Sequence, residues 1–228
     1  MTANAIVPTP KHPLYKYFVQ RHQLFSRFDQ GILLDEEGWY SVTPERIGQH
    51  LAQRCRCRTI VDAFCGVGGN AIQFALTCDH VIAIDIDADR LELARHNARI
   101  YGVEDRIEFI HGDFFNVMTT WHQQPDRPTI DGVFMSPPWG GPDYLQQTYF
   151  DVDAMLKPRG TQGLLDFVRN QVTPNMCLYL PRNVNVQQLR RAVGEDFDLE
   201  MNQVNGRVKT VSVYTGQFRQ SQRPQTGA

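Results

Sequence analysis

From Thr59 onward the chain alternates short branched runs with helical patterns, and few architectures accept that alternation. Thr59–Phe64, His80–Asp85, Arg106–Ile110, Asp131–Met135 and Met176–Leu180 read as strands. Asn70–Thr77, Gly163–Asn170 and Val186–Val193 read as helices, and a fourth runs from its cap Asp87 through Tyr101, with Gly102 as its stop. A polar loop with Pro125 and Pro128 is expected between the third and fourth strands. Asn205-Gly206 lies between the branched runs Phe197–Val204 and Val208–Tyr214, which predicts a hairpin. Alternating strands and helices bury both faces of a parallel sheet. The expected class is therefore α/β: a doubly wound, mostly parallel sheet ending in an antiparallel hairpin. Ligands of such sheets sit at the carboxyl ends of the strands.

What precedes and follows this core is different. Residues 1–13 are expected to be a disordered lead, 14–58 a helical extension, 59–216 the core, and 217–228 a polar tail. In the extension, Thr43 is expected as an N-cap, Pro44 as the first helical residue, and 46–54 as the helix. At 228 residues the chain is long enough to bury a sizeable core. Its apolar runs are too short to span a bilayer, and MTANAIVPTP lacks a charged-then-apolar leader pattern. Five cysteines without a CxxC pair argue against a disulfide framework or zinc ribbon and favour a reducing compartment. The net charge of −2 hides a division: residues 1–60 carry eight basic and five acidic side chains, 61–200 eleven and twenty, and 201–228 four and none. Positive ends around an acidic middle suit an anionic ligand held at both ends.

Gly66-Val-Gly-Gly-Asn-Ala71 satisfies G-x-G-x-x-G/A, and Asp85 lies nineteen residues beyond Gly66. Taken alone, this spacing describes a dinucleotide site. Asp62, beside the loop, opposes that reading, because its carboxylate would repel a pyrophosphate. The same carboxylate suits a ligand with an ammonium group and no phosphate. S-adenosylmethionine is such a ligand, with glycine backbone against its methionine part, Asp85 on its ribose and Asp113 near its adenine. No metal is expected.

After the fourth strand comes Ser136-Pro-Pro-Trp139-Gly-Gly-Pro-Asp-Tyr144. It resembles the [DNS]-P-P-[YFW] motif of methyltransferases that modify amino groups on planar rings. An exocyclic amine is a weak nucleophile, since its lone pair is delocalised. A polar oxygen and a rigid carbonyl before proline can accept its N–H bonds and aim the lone pair. Trp139 is the strongest cation–π partner among the aromatic residues, worth ~0.5–2 kcal/mol. It suits a positively charged base such as N7-methylguanine.

Phe25-Ser-Arg-Phe-Asp29, Glu37-Gly-Trp-Tyr-Ser-Val-Thr-Pro-Glu45, the segment Val61–Asn70, Ala83-Ile-Asp-Ile-Asp87, Ser136–Tyr144 and Leu180-Pro-Arg-Asn183 together resemble the trimethylguanosine synthases, a family of RNA cap guanosine-N2 methyltransferases. The similarity spans about residues 14–215. It implies a class I, Rossmann-like methyltransferase fold with a small helical N-terminal part. It implies S-adenosylmethionine as donor, S-adenosylhomocysteine as product, and an N7-methylguanosine-capped small nuclear or nucleolar RNA as acceptor. For the cofactor it implies Asp62, Cys65, Gly66, Gly68, Asn70, Asp85, Ile86, Asp113 and Phe114, with Phe25, Thr43 and Pro44 from the extension. Ser136, Pro137 and Trp139 carry the chemistry by the same resemblance. Lys16, Tyr144, Arg182 and Lys209 join Ser136 and Trp139 on the cap, with Lys16 and Arg182 on its phosphates. Nuclear residence, with the cytoplasm as a second compartment, and ribonucleoprotein partners follow from the family; a monomer is the expected state. Two other readings compete: an amino methyltransferase of adenine, cytosine or a protein amine, and a cap-binding protein without activity.

Overall fold

A computed structural model of the chain describes residues 4–121, 123–140, 149–151, 153 and 160–220. It has seven strands in the order β3-β2-β1-β4-β5-β7-β6 and divides into two units, Met1–Pro128 and Thr129–Ala228.

The first unit holds α1 (Tyr15–Phe18), α2 (Arg21–Leu24), α3 (Glu36–Ser41), α4 (Glu45–Arg54), β1 (Thr59–Asp62), α5 (Gly69–Ala75), β2 (His80–Asp85), α6 (Ala88–Tyr101), β3 (Ile107–His111) and α7 (Phe114–Trp121). β1, β2 and β3 pair in parallel, Thr59 opposite His80 and Val81 opposite Ile107. All four residues of β1 are buried, as parallel strands covered on both faces require. The expectations for α6 hold: Asp87 accepts from the amides of Asp89 and Arg90 at 2.9 and 3.1 Å, and Gly102 ends the helix at φ 70°.

Three expectations change. Thr43 is not the cap of α4: Pro44 holds that position in extended conformation, and the Thr43 hydroxyl accepts from Asn70 Nδ2 at 3.0 Å instead. The stretch after β3 is not loop throughout, because α7 occupies its first part. Phe114, Met118 and Trp121, spaced i, i+4 and i+7, are buried there. The N-terminal lead is anchored where it is described. Ile6 N–H donates to Leu34 at 2.8 Å, and the Trp39 indole donates to the Ile6 carbonyl at 2.8 Å.

The second unit holds β4 (Gly132–Met135), α8 (Gly160–Gln171), β5 (Met176–Pro181), α9 (Val186–Val193), β6 (Asp198–Val204) and β7 (Arg207–Tyr214). β4 and β5 are parallel, and β7 runs antiparallel to both β5 and β6. Asn205 and Gly206 turn the hairpin at φ 52° and 73°, the paired positive angles of a type I′ turn. The polar tail begins later than expected. Phe218 is buried against Gly132, where a side chain could not be accommodated, and Thr215 bonds the Pro174 carbonyl at 2.6 Å.

Candidate cofactor and acceptor sites

In the first unit the loop between β1 and α5 is shaped by two glycines. Gly68 has φ +88°, and a Cβ there would lie 3.0 Å from the Ala94 Cβ and 3.1 Å from its Cα. Backbone cannot yield, so a hydrogen at this position lets α6 lie against the loop. Gly66 has φ +54°, and a Cβ there would meet nothing within 4 Å, which leaves that part of the loop open for a ligand. Its N–H donates to Asp85 Oδ2 at 2.7 Å, while Asp85 Oδ1 accepts from Asp87 N–H at 3.0 Å. The carboxylate is thus fixed at the end of β2. An ionised carboxylate has about four acceptor sites, so it keeps capacity for a ribose diol. Ile86, the next residue, is 72% exposed, an apolar surface suited to a purine.

Asp62 is fully buried at the end of β1, and neither of its oxygens closes a well-aligned hydrogen bond, although the Phe64 and Ala71 amides lie near. Burial pushes its pKa from 3.8 up to about 7, against the pull of these two amides, and the nearby Asp85 charge adds to the rise. A buried carboxyl so weakly satisfied is costly and calls for a further donor or a cation. Cys65 is also buried, and burial, with Asp62 and Asp85 nearby, raises its thiol pKa well above the ordinary value. It is therefore an uncharged wall of the loop rather than a nucleophile. A buried Asn70 Oδ1 likewise has no bond. An ammonium-bearing, phosphate-free ligand such as S-adenosylmethionine fits this donor set.

At the end of β3, Asp113 accepts from Asn116 N–H at 3.0 Å and so caps α7, which places Phe114 in the core against Phe64 at 6.1 Å. From the extension, Phe25 is 1% exposed and lies against Tyr101 at 6.2 Å between ring centres. A Cβ on Gly69 would fall 3.9 Å from the Phe25 ring and 2.6 Å from Val42, so the extension reaches the start of α5. Lys16 is exposed, its ammonium 5.1 Å from the Tyr17 ring centre.

Two residues to which the sequence assigns no role, Asn97 and Glu45, organise this unit. Asn97, fully buried in α6, accepts from Leu33 N–H at 2.9 Å and donates to the Leu33 and Val67 carbonyls at 2.9 and 3.0 Å. Glu45 accepts from the Ser26 hydroxyl at 2.9 Å and from Tyr101 at 2.7 Å, and burial with this bond raises the Tyr101 pKa to about 12. The signal for Asn97 was a polar residue on the apolar stripe of Leu91, Ala94, Ala98 and Tyr101.

In the second unit Ser136 follows β4 directly. Ser136 is half-buried, Pro137 buried and Trp139 half-buried. The Trp139 ring lies 5.7 Å from that of Tyr179, tilted by 33°, and Tyr179 is itself 1% exposed on β5. A buried tyrosine therefore fixes the plane of the indole. Tyr144 lies outside the described residues. Arg182 is exposed just after β5. The β5–β7 register ends with Pro181 opposite Thr210; Arg182 follows Pro181 in a turn, and Lys209 precedes Thr210 on β7. Lys209 is also exposed, at the register shift between β6 and β7. These two cations therefore flank the last pair of the β5–β7 ladder. Among the described residues no cluster of His, Cys, Asp or Glu could hold a metal, and no helix is long and apolar enough to cross a membrane.

A family model of the RNA cap guanine-N2 methyltransferases matches residues 57–218. A trimethylguanosine synthase of Schizosaccharomyces pombe is 41% identical over 187 residues, covering 80% of this chain and 76% of the relative. A trimethylguanosine synthase of Saccharomyces cerevisiae is 39% identical over 192 residues; the match covers 81% of this chain but only 60% of that relative. Among solved structures, a putative methyltransferase from Porphyromonas gingivalis shares 14% identity with a TM-score of 0.67 over 93% of this chain and 52% of that one. A methyltransferase from Geobacter sulfurreducens shares 20% identity with a TM-score of 0.51, covering 92% and 91%. These structures show the Rossmann-like methyltransferase fold.

Proposed function

This chain belongs to the RNA cap guanine-N2 methyltransferase family, and on that premise we propose that it adds two methyl groups in turn to N2 of the N7-methylguanosine cap of small nuclear and nucleolar RNAs. The donor is S-adenosylmethionine. The observation that carries the acceptor assignment is Trp139, half-buried after Ser136-Pro-Pro with its plane set by Tyr179.

When bound, the donor supplies a methyl group on a sulfonium. Asp62 holds the ammonium of its amino-acid part, Gly66 and Gly68 let the backbone approach, and Asp85 takes the ribose. Trp139 stacks under the cationic guanine, Ser136 and the carbonyl before Pro137 accept its amino hydrogens, and Arg182 with Lys209 and Lys16 neutralises the triphosphate. Held there by Asp62, Gly66, Gly68 and Asp85, the donor would offer its methyl to the N2 lone pair that Ser136 and the carbonyl before Pro137 aim, with S-adenosylhomocysteine as the leaving group and the N2 proton lost to solvent. Positioning supplies most of the acceleration, since effective molarities of oriented reactants reach ~10⁵–10⁸ M. The N7 methyl acidifies N1, and loss of that proton drives electron density onto N2.

Nuclear residence and delivery of the RNA by ribonucleoprotein partners belong to the same reading. The test is methyl transfer from labelled S-adenosylmethionine to N7-methylguanosine triphosphate, GTP, and adenine- or cytosine-bearing oligonucleotides. Transfer to the first alone supports the reading. Transfer to the oligonucleotides instead would assign the chain to the nucleic-acid amino methyltransferases, and cap binding without transfer would make it a cap-binding protein.

A further inference from the structure

The loop after β5 leads past Arg182 into a polar cleft that the reaction above does not use. Phe150 N–H donates to the Asn183 carbonyl at 2.9 Å, and Phe150 forms an isolated parallel bridge with Val184. Segment 149–151 is thereby tied to the loop that carries Arg182. Between this segment and α9 lies a cleft of about 340 Å³, lined by Tyr149, Phe150, Asp151, Asn185, Gln187 and Arg191 among others. Its volume is in the range of small-ligand sites.

The lining has a particular chemistry. Phe150 is 1% exposed and forms part of the wall, whereas Tyr149 beside it is 66% exposed. An aromatic ring held at a cleft and left in water is a stacking surface, and that of Tyr149 meets no other ring among the described residues. Arg191 is exposed, and it forms no ion pair among the described residues; its neighbour Arg190 reaches Glu195 at 3.8 Å and lies over the Phe197 ring. The acid of the cleft is already engaged. Asp151 Oδ1 accepts from Gln188 Nε2 at 2.9 Å and from Asp153 N–H at 3.0 Å. The Asn185 side-chain oxygen is occupied as well, accepting from the amides of Gln187 and Gln188 at 3.0 and 3.2 Å. Beside the Asp151 carboxyl the cleft offers a ligand an aromatic face, a guanidinium and the Gln187 amide. A base, a phosphate and a base edge match these three groups in turn. The cleft also begins three residues along the chain from Arg182.

We infer that this cleft receives the ribonucleotide that follows the cap triphosphate: its base stacks on Tyr149, its 3′ phosphate pairs with Arg191, and Gln187 bonds the base edge. The inference rests on the cap-methyltransferase reading and extends it from the cap to the body of the RNA. Stacking tolerates any base, so the site discriminates capped chains from free cap nucleotide rather than one sequence from another.

The test uses the full chain, labelled S-adenosylmethionine and two acceptors, N7-methylguanosine triphosphate and a five-nucleotide capped RNA. Tyr149→Ala and Arg191→Gln are each expected to raise KM for the capped pentamer about five- to tenfold and to leave KM for the triphosphate within about twofold. Arg191→Gln should also flatten the slope of log affinity against log salt for the pentamer by about 0.7, the loss of one phosphate contact on a single strand, while Arg191→Lys keeps it. Equal effects on both acceptors, or none on the pentamer, would overturn the inference; a peptide-binding cleft would give the latter. Should the parent protein methylate neither acceptor, the functional reading has failed. The cleft is then judged by binding of a fluorescent uncapped pentamer: weakening in both variants supports it, and unchanged binding overturns it.

Discussion

Asp62→Asn should make the ligand-free protein more stable and the donor bind more weakly. The side chain is fully buried, its oxygens close no well-aligned hydrogen bond, and burial raises its pKa from 3.8 to about 7. The folded protein therefore holds a proton between these two values that the unfolded chain has released. Stability is full below about pH 4, falls as pH rises from 4 to 7, and stays low above 7, where the buried carboxylate is charged. The difference between 3.8 and 7 corresponds to about 4 kcal/mol, an upper figure for one buried group. Asparagine keeps the shape without the charge. Urea unfolding at pH 8 should show the variant more stable by about 1–4 kcal/mol, with the gap roughly halved at pH 5 and closed below about pH 4. Calorimetry with S-adenosylhomocysteine should show parental affinity rising from pH 5 to 8, because the ligand ammonium restores the charged carboxyl, and a weaker, flatter profile in the variant. A variant that is less stable at pH 8, or that binds S-adenosylhomocysteine as tightly as the parent, would refute the assignment of Asp62 to an ammonium.

Trp139→Ala should lower kcat/KM for N7-methylguanosine triphosphate by about 100-fold or more through lost positioning, while calorimetric S-adenosylhomocysteine affinity stays within about twofold. The unmethylated dinucleotide GpppG should be a poor acceptor beside its N7-methyl form in the same labelled-donor assay; equal turnover would remove the N1-acidification step. Asn97→Leu should destabilise by about 2–4 kcal/mol in urea unfolding, since the Leu33 amide and the Leu33 and Val67 carbonyls lose their buried partner. Gly68→Ala should cost at least about 1–3 kcal/mol and weaken donor binding, because φ +88° and a Cβ 3.0 Å from Ala94 leave the loop nowhere to move.

The parts of the fold that local chemistry determines were legible in the residues. Asp87 and Gly102 bracket α6, and Asn205-Gly206 turns the last hairpin, because capping and positive φ depend on a few adjacent side chains. The positive φ of Gly66 and Gly68 follows from the same local rule, since only glycine adopts it freely. Where tertiary partners decide, the residues misled. Thr43 reads as a cap until Asn70 reaches it with a better-placed donor. Phe114–Trp121 reads as loop until three of its five apolar residues find the core. That Arg182 and Lys209 flank the last pair of the β5–β7 ladder depends on pairing between strands distant in the chain, which no local pattern records. Asn97 was visible only as an anomaly on an apolar stripe, and its partners lie far off in the chain.

That same asparagine makes one side-chain amide the junction of three segments: helix α6, the loop that would hold the methyl donor, and the chain around Leu33 that follows Phe25. A displacement at any of the three must be felt at the other two or break a bond in a dry interior. The position of the donor loop is thereby tied to that of the Leu33 segment through a single buried amide.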